Sequence, residues 1–139
     1  GSVPGIADML GGQLASMFTP HGDFIANHKA GKIRIIATSG RTRSAFVPEV
    51  PTFIEQGFPD LIVEEWFGFF APARTPASVV SAANAAMNVA LKDKSVIEGL
   101  ALSGMVPVGG SPEDMVRDMK KQFDVWGPIV KRIGFTAES

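Results

Sequence analysis

Hydrophobic positions along this chain alternate between two spacings. Runs of consecutive or alternating apolar residues sit between stretches with apolar residues three and four apart. The first kind predicts strands and the second helices. The clearest run is Leu61 to Phe70, rich in β-branched and aromatic residues, with Pro59-Asp60 before it and Pro72 after it. It leads into Thr75-Pro76, a predicted N-cap and first helical position, and then a helix over 77–91. Val79, Val80, Ala83, Met87 and Leu91 form that helix's predicted inner stripe. A buried strand feeding a capped helix is half of a βαβ unit.

The rest of the chain follows the same grammar. Helices are predicted over 4–10 and over 23–30, the latter with Gly31 just past its end. Strands are predicted over 13–18, 32–38 and 105–108, and a brief helix over 51–56 ended by Gly57. A second helix is predicted over 94–102, stopped by Ser103-Gly104. The last begins at Ser111-Pro112-Glu113-Asp114, with Ser111 as N-cap and an acid three residues later. Met115, Met119, Phe123, Trp126 and Val130 carry its apolar face, Gly127-Pro128 should kink or split it, and Gly134 ends it. The order α β α β α β α α β α predicts an α/β chain with a largely parallel sheet. About four strands is fewer than the roughly five or six of an ordinary sheet. The chain therefore reads as part of a larger structure.

Composition narrows the function classes. The 139 residues are 45% hydrophobic and 19% charged, with a formal net charge of −1. No long-range field recruits nucleic acid or an anionic membrane. Cysteine is absent, which excludes disulfides, thiolate nucleophiles and cysteine zinc sites; tyrosine is absent too. Gly1-Ser2 reads as the remnant of a tag.

No residue nominates itself as a catalyst. His21 and His28 are seven apart and match no metal-ligand pattern, so neither a metal nor a cofactor is expected. His28 reads as packing or surface, whereas His21 lies in a loop from which it could touch a ligand. Glu64 and Glu65 are neighbours on a predicted strand, so they point to opposite faces and cannot act as a pair without a bulge. Either they end a strand in solvent, or they line a cleft with Trp66. Arg41 and Arg43 are a possible carboxylate clamp, with plain solvation the alternative. Gly109-Gly110 before a helix is a weak phosphate signal. The missing catalytic group favours a binding role.

One series of segments, in order, carries a resemblance: Asp8-Met9-Leu10-Gly11-Gly12-Gln13, Met17-Phe18, Lys29-Ala30-Gly31-Lys32-Ile33-Arg34, Val50-Pro51-Thr52 with Gly57, Trp66-Phe67-Gly68-Phe69-Phe70-Ala71-Pro72-Ala73 with Thr75-Pro76, and Pro107-Val108-Gly109-Gly110-Ser111-Pro112. From about Ile6 to Gly134 the chain resembles the Bug family, the extracytoplasmic solute receptors of tripartite tricarboxylate transporters in Gram-negative bacteria. The resemblance implies a partial two-lobed periplasmic-binding-protein fold of type II, lacking its N-terminal half and signal peptide. Residues 1–65 would then be the C-terminal part of the second lobe. Residues 66–139 would be the hinge-crossing strand and the C-terminal part of the first lobe. It also implies a periplasmic receptor, not an enzyme, that binds a small carboxylic acid (a di- or tricarboxylate or an aromatic acid) and delivers it to membrane transporter subunits. Such receptors hold carboxylates largely through backbone N–H groups. By position Thr19, His21 and Gly22 would face the cleft, with Trp66 and Phe67 at the crossing.

Two other readings remain open. One is a small α/β enzyme using Glu65 and His21, which requires those side chains to meet in one pocket. The other is a truncated, non-binding module that self-associates. Half of a sheet leaves unpaired edges, normally resolved by pairing or covering. That predicts a homodimer or a domain-swapped oligomer.

Overall fold

A computed structural model describes residues 2–136. It holds five helices: α1 (Ser2–Leu10), α2 (Gly22–Lys29), α3 (Ala77–Ala90), α4 (Lys94–Leu102) and α5 (Pro112–Ile133). The chain divides into two compact units. One takes the chain up to Phe70 together with Lys94–Pro107; the other takes Ala71–Asp93 and the chain from Val108 onward. Among the described residues no helix is long and apolar enough to cross a membrane.

The helices lie close to where local chemistry predicts them. Ser111 caps α5 with a complete capping box: its hydroxyl accepts from the Asp114 N–H, and the Asp114 carboxylate accepts from the Ser111 N–H. Pro112 follows at the first position, and Gly134 ends the helix at φ 67°. At the end of α4 the Gly104 N–H reaches the Ala101 carbonyl and the Met105 N–H the Leu100 carbonyl. This paired closure needs a left-handed residue, and Gly104 supplies it at φ 68°.

Three expectations about the helices are corrected. Thr75 does not cap α3; Pro76 occupies that place at φ −56°, ψ 140°, and no side chain caps the helix. Its extended ψ keeps Pro76 outside the helix, while its carbonyl accepts from the Val79 and Val80 N–H groups. The stripe on α3 is also rotated: Val80, Asn84, Met87 and Asn88 are partly covered, while Val79 and Ala83 are exposed. Gly127-Pro128 does not split α5, which runs unbroken for 22 residues. One proline removes one backbone bond. The turns before it carry Arg117–Asp114, Lys120–Asp124 and Lys121–Asp118 pairs three and four apart.

The strands differ more. Among the described residues the one β pairing is a parallel bridge between Thr38 and Thr52. The Thr38 N–H donates to the Pro51 carbonyl, and the Phe53 N–H donates to the Thr38 carbonyl. On the other side, the Val63 N–H donates to the Ser39 carbonyl and the Ser39 hydroxyl to the Val63 carbonyl. The predicted strands over 13–18, 32–38, 61–70 and 105–108 otherwise carry no regular pairing. Their composition suits a sheet, but a strand is made by its neighbour's hydrogen bonds. The 51–56 segment likewise closes only one turn, under a Thr52–Glu55 capping box.

The core of the first unit is small: Phe24, Val47 and Val50 are buried, with Thr38 and Thr52 among them. Phe18 stacks on Phe53, and Phe53 meets Phe58 edge-on. Among its described residues the second unit buries none fully; on α5, Val116, Phe123 and Ile133 are each more than 60% exposed.

The Thr38 hydroxyl oxygen is buried without a hydrogen-bond partner. A buried unsatisfied hydroxyl is destabilising, and valine has nearly the same shape. Thr38→Val is expected to raise stability by about 1 kcal/mol, read as a higher urea midpoint with an unchanged slope.

Candidate functional site

The loop from Met17 to His21 brings the chain to the start of α2. Pro20 and His21 offer their carbonyls to the Asp23 and Phe24 N–H groups, which closes the first turn. Those two donors are therefore spent. The N–H groups of Thr19, His21 and Gly22 donate to no acceptor among the described residues. Pro20 has none to donate. Three free donors at the positive end of a helix dipole make a surface suited to an anion.

His21 is half-buried beside this surface. Its Nε2 lies 2.9 Å from the Ser44 Oγ, and the Phe46 ring packs tilted against it at 6.0 Å. The Ser44 oxygen already accepts from the Phe46 N–H. Its second lone pair and its proton both remain able to meet Nε2, so either neutral tautomer of His21 fits this contact. Burial lowers the His21 pKa, which favours the neutral imidazole.

Gly22 has a packing role as well. A side chain there would strike the Ser103 carbonyl, so α2 and the end of α4 approach with only glycine between them. Gly104 meets Gly22 from the other side.

Trp66 and Phe67 belong to the same unit as this loop. Trp66 is 41% and Phe67 72% exposed, and the Trp66 ring lies 6.5 Å from that of Phe70. No hydrogen bond or ring contact among the described residues joins Trp66 or Phe67 to Thr19, His21 or Gly22. Glu65 is exposed and has no hydrogen bond to His21, whose partner is Ser44. The contact required by an enzyme built on Glu65 and His21 is absent among the described residues. No three His, Asp or Glu side chains among them come together as a metal set.

The surrounding polar groups hold loops in place. His28 Nδ1 accepts from the Ile35 N–H, so its Nε2 donates to Glu49 at 3.0 Å. One side chain thus ties α2 to two loops. Arg43 is no free clamp: it grips the Glu55 carboxylate and donates to the Pro48 carbonyl. The Arg43 guanidinium first, then the Thr52 N–H, pull the Glu55 pKa from 4.5 to about 2. Arg41 is exposed and makes no ion pair among the described residues.

The second unit holds a feature not read from the sequence. The Asn88 amide donates to the Gly110 carbonyl at 2.9 Å, and the Gly110 N–H donates back to Asn88 Oδ1 at 2.9 Å. This copies a strand pairing with a side chain. Asn84 adds a further donor to the same carbonyl. Gly109 has φ 69°, and a Cβ there would sit 2.6 Å from Asn88 Oδ1, so glycine is needed on two counts. Two asparagines four apart on an alanine-rich helix were the available signal. Beside this clamp is an open cleft of about 590 Å³, lined by Val80, Ser81, Asn84, Ser111 and Glu113 among others. The capping box occupies the α5 N-terminus there.

Comparison with known proteins matches residues 1–135 to the family described as the tripartite tricarboxylate transporter family receptor. The chain is 30% identical to protein BugT of Bordetella pertussis over 134 residues, covering 96% of this chain and 41% of BugT. It superposes with a TM-score of 0.86 on a solved structure of a periplasmic transporter, at 39% identity, covering 94% of this chain and 44% of that one. It superposes with a TM-score of 0.80 on the periplasmic binding protein BugD, at 24% identity, covering 96% of this chain and 46% of that one. The chain thus spans less than half the length of these relatives. Its architecture is part of an α/β periplasmic-binding-protein fold.

Stability should fall in steps on acidification. The folded-state pKa of Glu55 is depressed, so its contribution is present above its ordinary 4.5 and is lost as pH falls toward about 2. Asp114, held by the Ser111 N–H and then by Arg117, goes from 3.8 to about 2 and behaves alike. Salt screens part of both, since these groups are exposed. His21 is neutral in the fold, so a smaller loss begins below its ordinary 6.5. Urea midpoints measured across pH should lose the upper step in His21→Gln and shrink the lower one in Glu55→Gln.

Asn88→Ala is expected to cost about 1–2 kcal/mol and to speed amide hydrogen exchange at Gly110. Unchanged exchange there would show that the loop holds without the clamp.

Proposed function

The chain belongs to the tripartite tricarboxylate transporter receptor family, and from that premise we propose that it is the part of a periplasmic solute receptor that meets a small carboxylic acid. The observation that carries this is the set of free N–H groups on Thr19, His21 and Gly22 at the start of α2. A carboxylate oxygen accepts from such groups without a cationic side chain, as an anion does at any open helix start. The neutral His21 and the Ser44 hydroxyl supply further polar contacts beside them. Trp66 and Phe67 offer apolar surface for the body of the acid, on closure of the cleft.

The ligand class is a di- or tricarboxylate or an aromatic acid, and its onward partners are the membrane subunits of the transporter. The role is binding without catalysis, in the periplasm. The exposed apolar surface supports a second property: alone, this chain self-associates as a homodimer or a domain-swapped oligomer.

Thermal melts against mono-, di- and tricarboxylates and aromatic acids test the receptor reading. An acid at a hundred times its Kd should add about 2.7 kcal/mol of stability. The shift should shrink in His21→Ala. A shift that survives this change and Thr19→Pro, which removes an N–H, would move the site elsewhere. No shift with any acid would mean that this stretch does not bind ligand by itself.

A further inference from the structure

Glycine is a poor helix former, yet Gly22 opens α2. The reason lies far along the chain. A Cβ on Gly22 would strike the Ser103 carbonyl, so the backbone at the end of α4 lies directly against the start of α2. A Cβ on Gly104 would in turn sit 2.9 Å from Gly22 Cα, 3.3 Å from Gly22 N and 3.2 Å from Ile25 Cδ1. The nitrogen it would crowd carries one of the three free N–H groups. All of these residues belong to one compact unit.

The end of α4 is itself fixed. The Ser103 and Met105 N–H groups donate to the Leu100 carbonyl, the Gly104 N–H donates to the Ala101 carbonyl, and Gly104 is left-handed at φ 68°. Such a closed turn moves only by opening these bonds. On the neighbouring residue, Ser44 and the Phe46 ring hold the His21 side chain. The loop is thus held by a side chain at His21 and by backbone at Gly22.

We infer that the end of α4, Ser103-Gly104, positions the free donors of Thr19, His21 and Gly22, with Gly104 as the positioning residue. This rests on the carboxylate reading for the ligand, and on the glycine contact for the geometry. Donors held in place before an anion arrives lose less freedom on binding it. Without the backing, the donor set would end on a glycine, the residue with the most backbone freedom to lose.

Gly31 supplies a matched control. It ends α2 with the same closure, its N–H donating to the His28 carbonyl and the Lys32 N–H to the Asn27 carbonyl, also at φ 68°. A Cβ there meets open space. Gly31→Ala and Gly104→Ala therefore carry the same left-handed strain, and only the second presses on Gly22. Gly31→Asn and Gly104→Asn repeat the pair at lower strain, because asparagine tolerates this conformation. They keep the comparison intact if an alanine variant fails to fold.

The experiment records amide resonances of the isotope-labelled chain during titration with succinate, citrate and benzoate. Gly22 would touch the new Cβ, so Thr19 and His21 carry the readout. Both Gly104 variants are expected to move the Thr19 and His21 resonances and to weaken acid binding there about tenfold. Both Gly31 variants should do neither, although their urea midpoints fall too. Resonances at Thr19 and His21 that respond equally to the Gly104 and Gly31 changes overturn the positioning role. So does a Gly104 variant that binds the acid with the native Kd. If no acid moves these resonances in the native chain, the carboxylate reading of this stretch fails, and the Thr19 and His21 comparison still decides whether α4 positions these groups.

Discussion

Three stretches of chain are tied together at Thr38 and Ser39. The Thr38 backbone pairs with Pro51 and Phe53 on one side, and Ser39 pairs with Val63 on the other. Around this knot lie the buried residues of the first unit, Val47, Val50, Thr52 and Phe24. Arg43, Glu55 and His28 brace it from the rim. The loop that presents Thr19, His21 and Gly22 depends on the same knot, because Ser44 and Phe46, which hold His21, precede Val47 by a few residues.

Beyond the knot, the fold rests on local closure more than on a core. The start of α5 is sealed by the Ser111 capping box, and the ends of α2, α4 and α5 by left-handed Gly31, Gly104 and Gly134, each worth about 1 kcal/mol. The interior that usually outweighs conformational entropy is thin here. The exposed aromatics of 67–70 and the open face of α5 show where further burial is available. The relatives the chain matches are more than twice as long, so such faces have more chain to meet in those proteins.

The site follows the same economy. Nothing in it is a strong acid, base or nucleophile; it offers backbone donors, a neutral imidazole held by a hydroxyl, and aromatic surface. Such groups suit reversible capture of an anion, since a fixed cation would add attraction at the cost of release. Arg43, which braces the knot through Glu55 and the Pro48 carbonyl, is spent on those contacts.

The sequence by itself determined where the helices lie, the cap of α5 and the family. Ser111 with Asp114, Gly104, Gly31 and Gly134 act through neighbours a few residues away, so their effect is written in the local order of residues. The loop at Thr19–Gly22 was singled out by the resemblance, whereas its free N–H groups became visible only once Asp23 and Phe24 were seen to pair with Pro20 and His21. Tertiary structure alone decided which apolar runs pair. The segments over 32–38 and 61–70 have the composition of strands, yet only Thr38 and Val63 find partners, because a strand's hydrogen bonds belong to its neighbour. Tertiary structure also decided that Asn88, 22 residues from Gly110, would take a strand's place beside it. That contact depends on two distant elements meeting, which no local pattern encodes.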